Sequence, residues 1–241
     1  MSENRQFISQ ATLHRLLKDV KEIIKNPLES EGIYYIHDES NMMQGYSLLI
    51  GPKNTPYEYG YYLFKINYPN DYPLSPPIMT YLTNDGKTRF HPNLYRNGKV
   101  CLSILNTWKG EQWSSCQTIR SLLLTLISIL DQNPLCNEPG FSIYHKDCLP
   151  YTNSIWFKNY EIAIMGIINN KYLPNECKIF NDIIKLSYKN NYDSIIGNLK
   201  KYSQKINEDK TIPEYNIGIY NMSIKTDYYH LLQQFNKLLP N

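Results

Sequence analysis

The chain carries five cysteines, at positions 101, 116, 136, 148 and 177, and one of them stands in a setting that could do chemistry. Cys101 lies in a stretch without helical or strand periodicity, residues 83–117. The same stretch holds His91, Pro92, Asn93 and two tryptophans. An irregular segment of that length inside a compact domain is usually functional. A thiolate placed there can take a carboxyl group by thioester exchange and hold it at high transfer potential. The rival reading is a structural cysteine, which packs as a small hydrophobe. A papain-like protease would need an imidazole oriented at the thiol, and only His91 is near in sequence. No CxxC pair and no His/Cys cluster at zinc-ligand spacing occurs, so no metal is expected. The odd cysteine count and the polar start, residues 1–10, lead to free thiols in a reducing compartment.

The elements that must position Cys101 can be read on either side of it. Over residues 11–25 the apolar residues Leu13, Leu16, Leu17, Val20 and Ile24 recur at helical spacing. His14, Arg15, Lys18, Lys21 and Lys25 form the polar face, and Asn26-Pro27 ends the helix. Strand-like runs follow over 32–37, 45–50, 61–66 and 78–82, separated by turn residues such as Gly51-Pro52 and Asn54-Thr55-Pro56. Such short connections imply an antiparallel meander, because parallel strands need long crossovers. Beyond Cys101 a helix is expected over 118–130, capped by Ser114 or Ser115 and stopped by Asn133-Pro134. Its core stripe is Ile119, Leu122, Leu123, Leu126, Ile127 and Leu130, which leaves Leu124 among hydroxyls on a wet face. A third helix is expected over 153–171, weakened by Gly166. The tail reads as helical patches over 177–189, 193–206 and 224–239, with a polar stretch, 207–221, before the last. The plan is an α+β domain with a helical C-terminal extension.

Composition sets the outer limits. The 241 residues are 42% hydrophobic and 20% charged, an ordinary globular balance that argues against disorder. The longest apolar stretch, residues 122–130, is far short of the roughly 18–20 residues a membrane span needs. A net charge of +3 is too slight to suggest a nucleic-acid partner. The 22 tyrosines read as a compositional habit, not as chemistry.

The segment His91-Pro92-Asn93-Leu94-Tyr95-Arg96-Asn97-Gly98-Lys99-Val100-Cys101 resembles the active-site signature of ubiquitin-conjugating enzymes, the E2 family. In that family the asparagine stands eight residues before the catalytic cysteine, and here 101 − 93 = 8. Tyr72-Pro73-Leu74-Ser75-Pro76-Pro77, Trp113-Ser114 and Asn133-Pro134 follow in family order. The resemblance divides the chain into a tail (1–8), a core domain with the ubiquitin-conjugating (UBC) fold (9–172) and an extension (173–241). The spacing from Cys101 through Trp108 to Trp113 and the run Asn133-Pro134-Leu135-Cys136-Asn137-Glu138-Pro139-Gly140-Phe141 resemble an extended subgroup. That subgroup contains the Z-type enzyme and the E2 domain of the giant BIR-repeat protein.

The resemblance implies roles. Cys101 would carry ubiquitin, or a ubiquitin-like modifier, as a thioester received from the activating enzyme E1. It would pass it to a substrate lysine or to an E3 ligase. Asn93 would donate its amide to the oxyanion formed when an amine attacks, or would brace the loop. Tyr95 would desolvate the incoming lysine. Glu138, or Asn137 in its place, would orient and help deprotonate that lysine, whose free pKa near 10.4 leaves little nucleophile at neutral pH. Leu124 and Ser128 would meet the folded-back modifier. Arg15 and Lys18 match positions that meet E1 and ligases, and Leu74 sits on the ligase-facing loop. Ser115-Cys116 replaces the usual Pro-Ala of a second ligase loop, which weakens the case for generic RING ligases. No cofactor is implied, since ATP is used by E1, and no nucleic acid or membrane. The place of action would be cytoplasm or nucleus, in the host if the source is a virus. The alternatives are an inactive E2-like ubiquitin-binding module and an unrelated cysteine hydrolase.

Overall fold

A computed structural model describes residues 8–209 and 211–240, so the expected tail over 1–8 lies almost wholly outside the described residues. Helix α1 (Gln10–Lys25) begins at Ser9, whose hydroxyl accepts from Thr12 N–H at 3.0 Å. It ends before Asn26-Pro27 as the sequence predicts. Its buried side runs through Thr12, Leu16, Asp19, Val20 and Ile23, whereas Leu17 and Ile24, both expected on the apolar stripe, are 37% and 66% exposed. The rotation follows from Asp19, which is drawn inward to accept from Arg15 and from the Tyr72 hydroxyl.

Strands β1 (Ile33–His37), β2 (Gln44–Ile50), β3 (Tyr61–Asn67) and β4 (Ile78–Tyr81) form the expected antiparallel meander in the order 1-2-3-4. Alternate side chains of β2 and β3 enter two different cores. Leu49, Tyr62, Phe64 and Ile66 pack with α1 and with α2 (Ile119–Ser128). Tyr46, Leu48, Tyr61 and Leu63 pack with the C-terminal part of the chain. A sheet covered on both faces reads as near-continuous apolar runs, which is what these strands show.

In α2 most of the expected stripe is buried, with Ile119, Leu122, Leu123 and Leu126 at 0% exposure, while Ile127 is half-buried. Its cap is Thr118, not Ser114 or Ser115. Thr118 and Ser121 satisfy each other's backbone N–H groups in a capping box. The third helix starts earlier than predicted, as α3 (Cys148–Lys158), and then widens into a π-helical stretch, Asn159–Gly166. Asn159 explains the position of that stretch: its buried amide accepts from Tyr62 OH at 2.7 Å and donates to Glu58 O at 2.8 Å. Gly60 permits the approach, since a Cβ there would lie 1.9 Å from Asn159 Oδ1.

The extension is less uniformly helical than the sequence implies. The first two patches are one helix, α4 (Asn181–Asp209). No proline or glycine breaks Asn190-Asn191-Tyr192, and burial of Tyr188, Ile195, Ile196 and Leu199 carries the helix through. The polar stretch and the start of the last patch form a hairpin, β5 (Glu214–Ile217) and β6 (Met222–Lys225), before α5 (Tyr228–Phe235). Among the described residues no helix is long and apolar enough to cross a membrane.

Candidate active site

The eight-residue offset between Asn93 and Cys101 has a geometric cause. The segment folds back on itself, with Cys101 N–H donating to Asn93 O at 2.9 Å and Tyr95 N–H to Lys99 O at 2.9 Å. Gly98 closes the turn at φ +87°, a conformation that a side chain would strain. Residues 93 and 101 therefore stand opposite each other, and the Asn93 Nδ2 amide donates to Cys101 O at 2.6 Å. Of the two roles open to Asn93, the bracing bond is present in the structure. The hairpin is seated on the sheet by Tyr81 N–H donating to Gly98 O at 2.7 Å.

Buried tyrosines fix the approach to this hairpin. Tyr57 OH donates to Phe90 O at 2.8 Å and Tyr151 OH to Arg89 O at 2.7 Å. At these positions the tyrosines do structural work that composition alone did not suggest. His91 is fully buried and accepts from Asn93 N–H through Nδ1 at 3.1 Å. Burial pushes its pKa down to about 3, with the nearby Arg89 charge adding to the effect. It is a neutral structural group, not a base for the thiol.

Cys101 itself is 2% exposed. The chain beyond it turns at Asn106, in the left-handed region, and Asn106 Oδ1 accepts from Trp113 N–H at 2.8 Å. Trp113 in turn donates from its indole to Pro73 O at 2.8 Å. Tyr95 carries the Arg89 guanidinium 3.3 Å from its ring centroid, so one face of the ring is already occupied. Glu138 ends a short 3₁₀ turn, Pro134–Asn137, and its Oε2 accepts from Tyr220 OH at 2.7 Å. Asn137 donates to Asp131 Oδ2 at 2.9 Å and to Pro134 O at 3.3 Å, within its own loop. Arg89 and Tyr220 were not among the residues expected at the site. No spacing rule links residue 220 to residue 138.

The expected partner-facing residues fall in two places. Leu124 and Ser128 are exposed on the outer face of α2, and the extension does not cover Leu124. Lys18, Leu74 and Ser115 are exposed near one another, because α1, the Tyr72-Pro73 turn and the loop after Trp113 converge there. Arg15 differs from its neighbours. Its guanidinium donates to Asp19, to Ser115 O at 2.6 Å and to Gln117 O at 2.5 Å, holding α1 to that loop. The five cysteines are free thiols; Cys116 is exposed, while Cys148 and Cys177 are buried. Among the described residues no group of three or more His, Cys, Asp or Glu side chains could hold a metal ion.

A sequence profile of the family described as "Ubiquitin-conjugating enzyme" matches residues 15–148. Ubiquitin-conjugating enzyme E2 Z of Danio rerio is 39% identical over 166 residues, covering 68% of this chain and 50% of that protein. The Homo sapiens E2 Z is 40% identical over 162 residues, covering 66% and 45%. The dual E2 ubiquitin-conjugating enzyme/E3 ubiquitin-protein ligase BIRC6 of Homo sapiens is 44% identical over 124 residues, 48% of this chain but 2% of that protein. The chain thus spans about half the length of the E2 Z relatives it matches. A profile match across the Asn93–Cys101 hairpin, on the sheet and helices described, settles the family: the chain belongs to the ubiquitin-conjugating enzymes, in the subgroup that includes the E2 Z proteins and BIRC6.

Proposed function

We propose that this protein accepts ubiquitin or a ubiquitin-like modifier from E1 as a thioester on Cys101 and transfers it to a lysine amine or to an E3 ligase. The observation that carries this reading is the pairing of Asn93 with Cys101 across the hairpin. It puts a side-chain amide beside the cysteine that would be acylated. In attack on the thioester, the amine nitrogen bonds to the carbonyl carbon and the Cys101 sulfur leaves. The second N–H of Asn93 Nδ2 is a donor for the oxyanion in between. Glu138 is favoured over Asn137 as the residue facing the amine, because a carboxylate can take up the amine's proton and an amide cannot. Tyr95 would shield the lysine stem with the ring surface that Arg89 and Lys99 leave open. Leu124 and Ser128 would receive the modifier on α2. Lys18, Leu74 and Ser115 would meet E1 and E3, with Arg15 shaping that surface from beneath. ATP would be consumed at the E1 step, and the protein would act in cytoplasm or nucleus.

One observation favours the second reading, an inactive ubiquitin-binding module: Cys101 is almost fully covered. Charging requires that cover to open. Incubation with E1, ATP and a panel of modifiers separates the two readings. A thiol-sensitive adduct with one modifier supports the enzyme. Binding of modifier with no adduct in any combination supports the module.

A further inference from the structure

Tyr220 reaches the site from the 3₁₀ turn Gly218–Tyr220 that joins β5 to β6 in the extension. Its position is fixed independently of Glu138. The Arg96 guanidinium donates to Tyr220 O. The Tyr220 ring packs against Tyr151 of α3, centroids 5.4 Å apart, and the Arg89 guanidinium lies 5.3 Å from the ring centre. On the next strand, Met222 Sδ accepts from Arg89 N–H at 3.2 Å. Arg89 and Arg96 flank the His-Pro-Asn motif, so the turn is tied to the same backbone that carries Asn93 and Tyr95. The phenol hydroxyl then donates to Glu138 Oε2 at 2.7 Å.

Glu138 needs such a tether. It follows a short 3₁₀ turn and precedes the exposed pair Pro139-Gly140, with Gly140 at φ +86°. A glutamate side chain on a loop of that kind has rotamer freedom to lose before it can act. A hydrogen bond to one carboxylate oxygen removes that freedom and leaves the other oxygen, Oε1, to face an amine. A charge-assisted bond is also stronger than a neutral one.

We propose that Tyr220 is a positioning residue supplied by the C-terminal extension: by donating to Glu138 it holds the carboxylate for the incoming lysine amine, and it governs transfer and not charging. The proposal rests on the role given to Glu138 above. It also gives the hairpin of the extension a function, as the piece that completes the acceptor side of the site.

The test is single-turnover discharge of the full-length, charged protein to free lysine over a range of lysine concentrations. Tyr220→Phe, Glu138→Gln and the double variant are compared with the wild type. Tyr220→Phe keeps the ring that packs on Tyr151 and loses only the hydroxyl. It should charge like the wild type and melt within about 4 °C of it, the shift that loss of one hydrogen bond brings. Its maximal discharge rate should fall about tenfold, less than the hundredfold that misplacing a reacting group by on the order of 1 Å can cost. The lysine concentration for half-maximal rate should not move. In the Glu138→Gln background the same substitution should have little further effect, since the two act as one unit. A Tyr220→Phe protein that charges normally and discharges within about twofold of wild type overturns the proposal alone. So does an equal loss from Tyr220→Phe in both backgrounds. If Tyr220→Phe lowers the melting temperature, the comparison between backgrounds still decides, because both carry the same missing hydroxyl. A wild-type protein that never charges on Cys101 overturns the enzymatic reading itself, a different result from either.

Discussion

Two hairpins border the candidate site, and they are fastened in different ways. The hairpin that carries Asn93 and Cys101 is held by side chains bonded to its own backbone and to the residues leading into it: Tyr57 and Tyr151 bond to Phe90 O and Arg89 O just before it, His91 to Asn93 N–H, and the Asn93 amide to Cys101 O. The β5–β6 hairpin is held from the side, by Arg96 on Tyr220 O, by Arg89 N–H on Met222 Sδ and by the tilted packing of Tyr220 on Tyr151. In the first, each side chain satisfies a main-chain group, and such a group left without its partner is costly where it is buried. In the second, Ile217 and Met222 anchor the strands in the main core, and the residue that reaches Glu138 sits on the turn between them. The lesson is a division of labour. On the proposed reading, the core domain would fix the nucleophile and its amide, and the extension would adjust the acceptor side.

That contrast sets the order of expected effects. Asn93→Ala removes both the brace and the candidate oxyanion donor. Its charged form should discharge to lysine about 10²–10³ slower, the usual loss for one such donor. Single-turnover assays check this, and discharge at the wild-type rate would place the chemistry elsewhere. Glu138→Ala should slow discharge less, and Asn137→Ala should leave it unchanged; the reverse pattern would shift the acceptor role by one residue.

Leu124→Asp comes next. The side chain is 36% exposed on α2, so the substitution should spare the melting temperature and thioester formation. Discharge should slow by about tenfold if docking on α2 orients the thioester. A fall of several degrees in melting temperature would instead mark Leu124 as part of the core.

The rear of the first hairpin should report itself through pH. His91 is fully buried with its pKa pushed down to about 3 by desolvation, then by Arg89. The unfolded chain therefore takes up this proton near the ordinary value of 6.5 while the folded protein refuses it. Stability should be full above that pH and should fall as pH drops toward 3, by at most about 1.4 kcal/mol per pH unit from this group. Urea titrations of wild type and His91→Gln between these limits check the slope; identical slopes would mean that His91 is not held neutral. Smallest of all, Tyr151→Phe should lose about 1 kcal/mol by leaving Arg89 O without its donor. Equilibrium denaturation measures it.

The sequence made much of this arrangement legible, and unevenly so. The meander, the stripe of α2 and the Asn93–Cys101 spacing are local patterns: period 2, period 3.6, and two residues that face each other across a turn. The rotation of α1 toward Asp19 was not legible, because it depends on a hydroxyl contributed by Tyr72. Nor was the π-helical stretch, which follows from Asn159 bonding to Glu58 and Tyr62 of another element. The tyrosines read as a habit of composition because a phenol carries no periodic signal. Their function is visible only where each hydroxyl lands. Tyr220 is the extreme case, since its partner lies 82 residues away and its own neighbourhood is polar and irregular.

The central claim is that Cys101, and no other cysteine, carries the modifier. Cys116 is the most exposed rival and Cys136 lies on the Glu138 loop. The direct measurement is incubation of wild type, Cys101→Ser and Cys101→Ala with E1, ATP and ubiquitin, each run with and without reductant. The wild type should form an adduct that reductant removes. Cys101→Ser should form an oxyester that survives it, because an ester resists thiol exchange, and Cys101→Ala should form none. A reductant-labile adduct on Cys101→Ala would contradict the account.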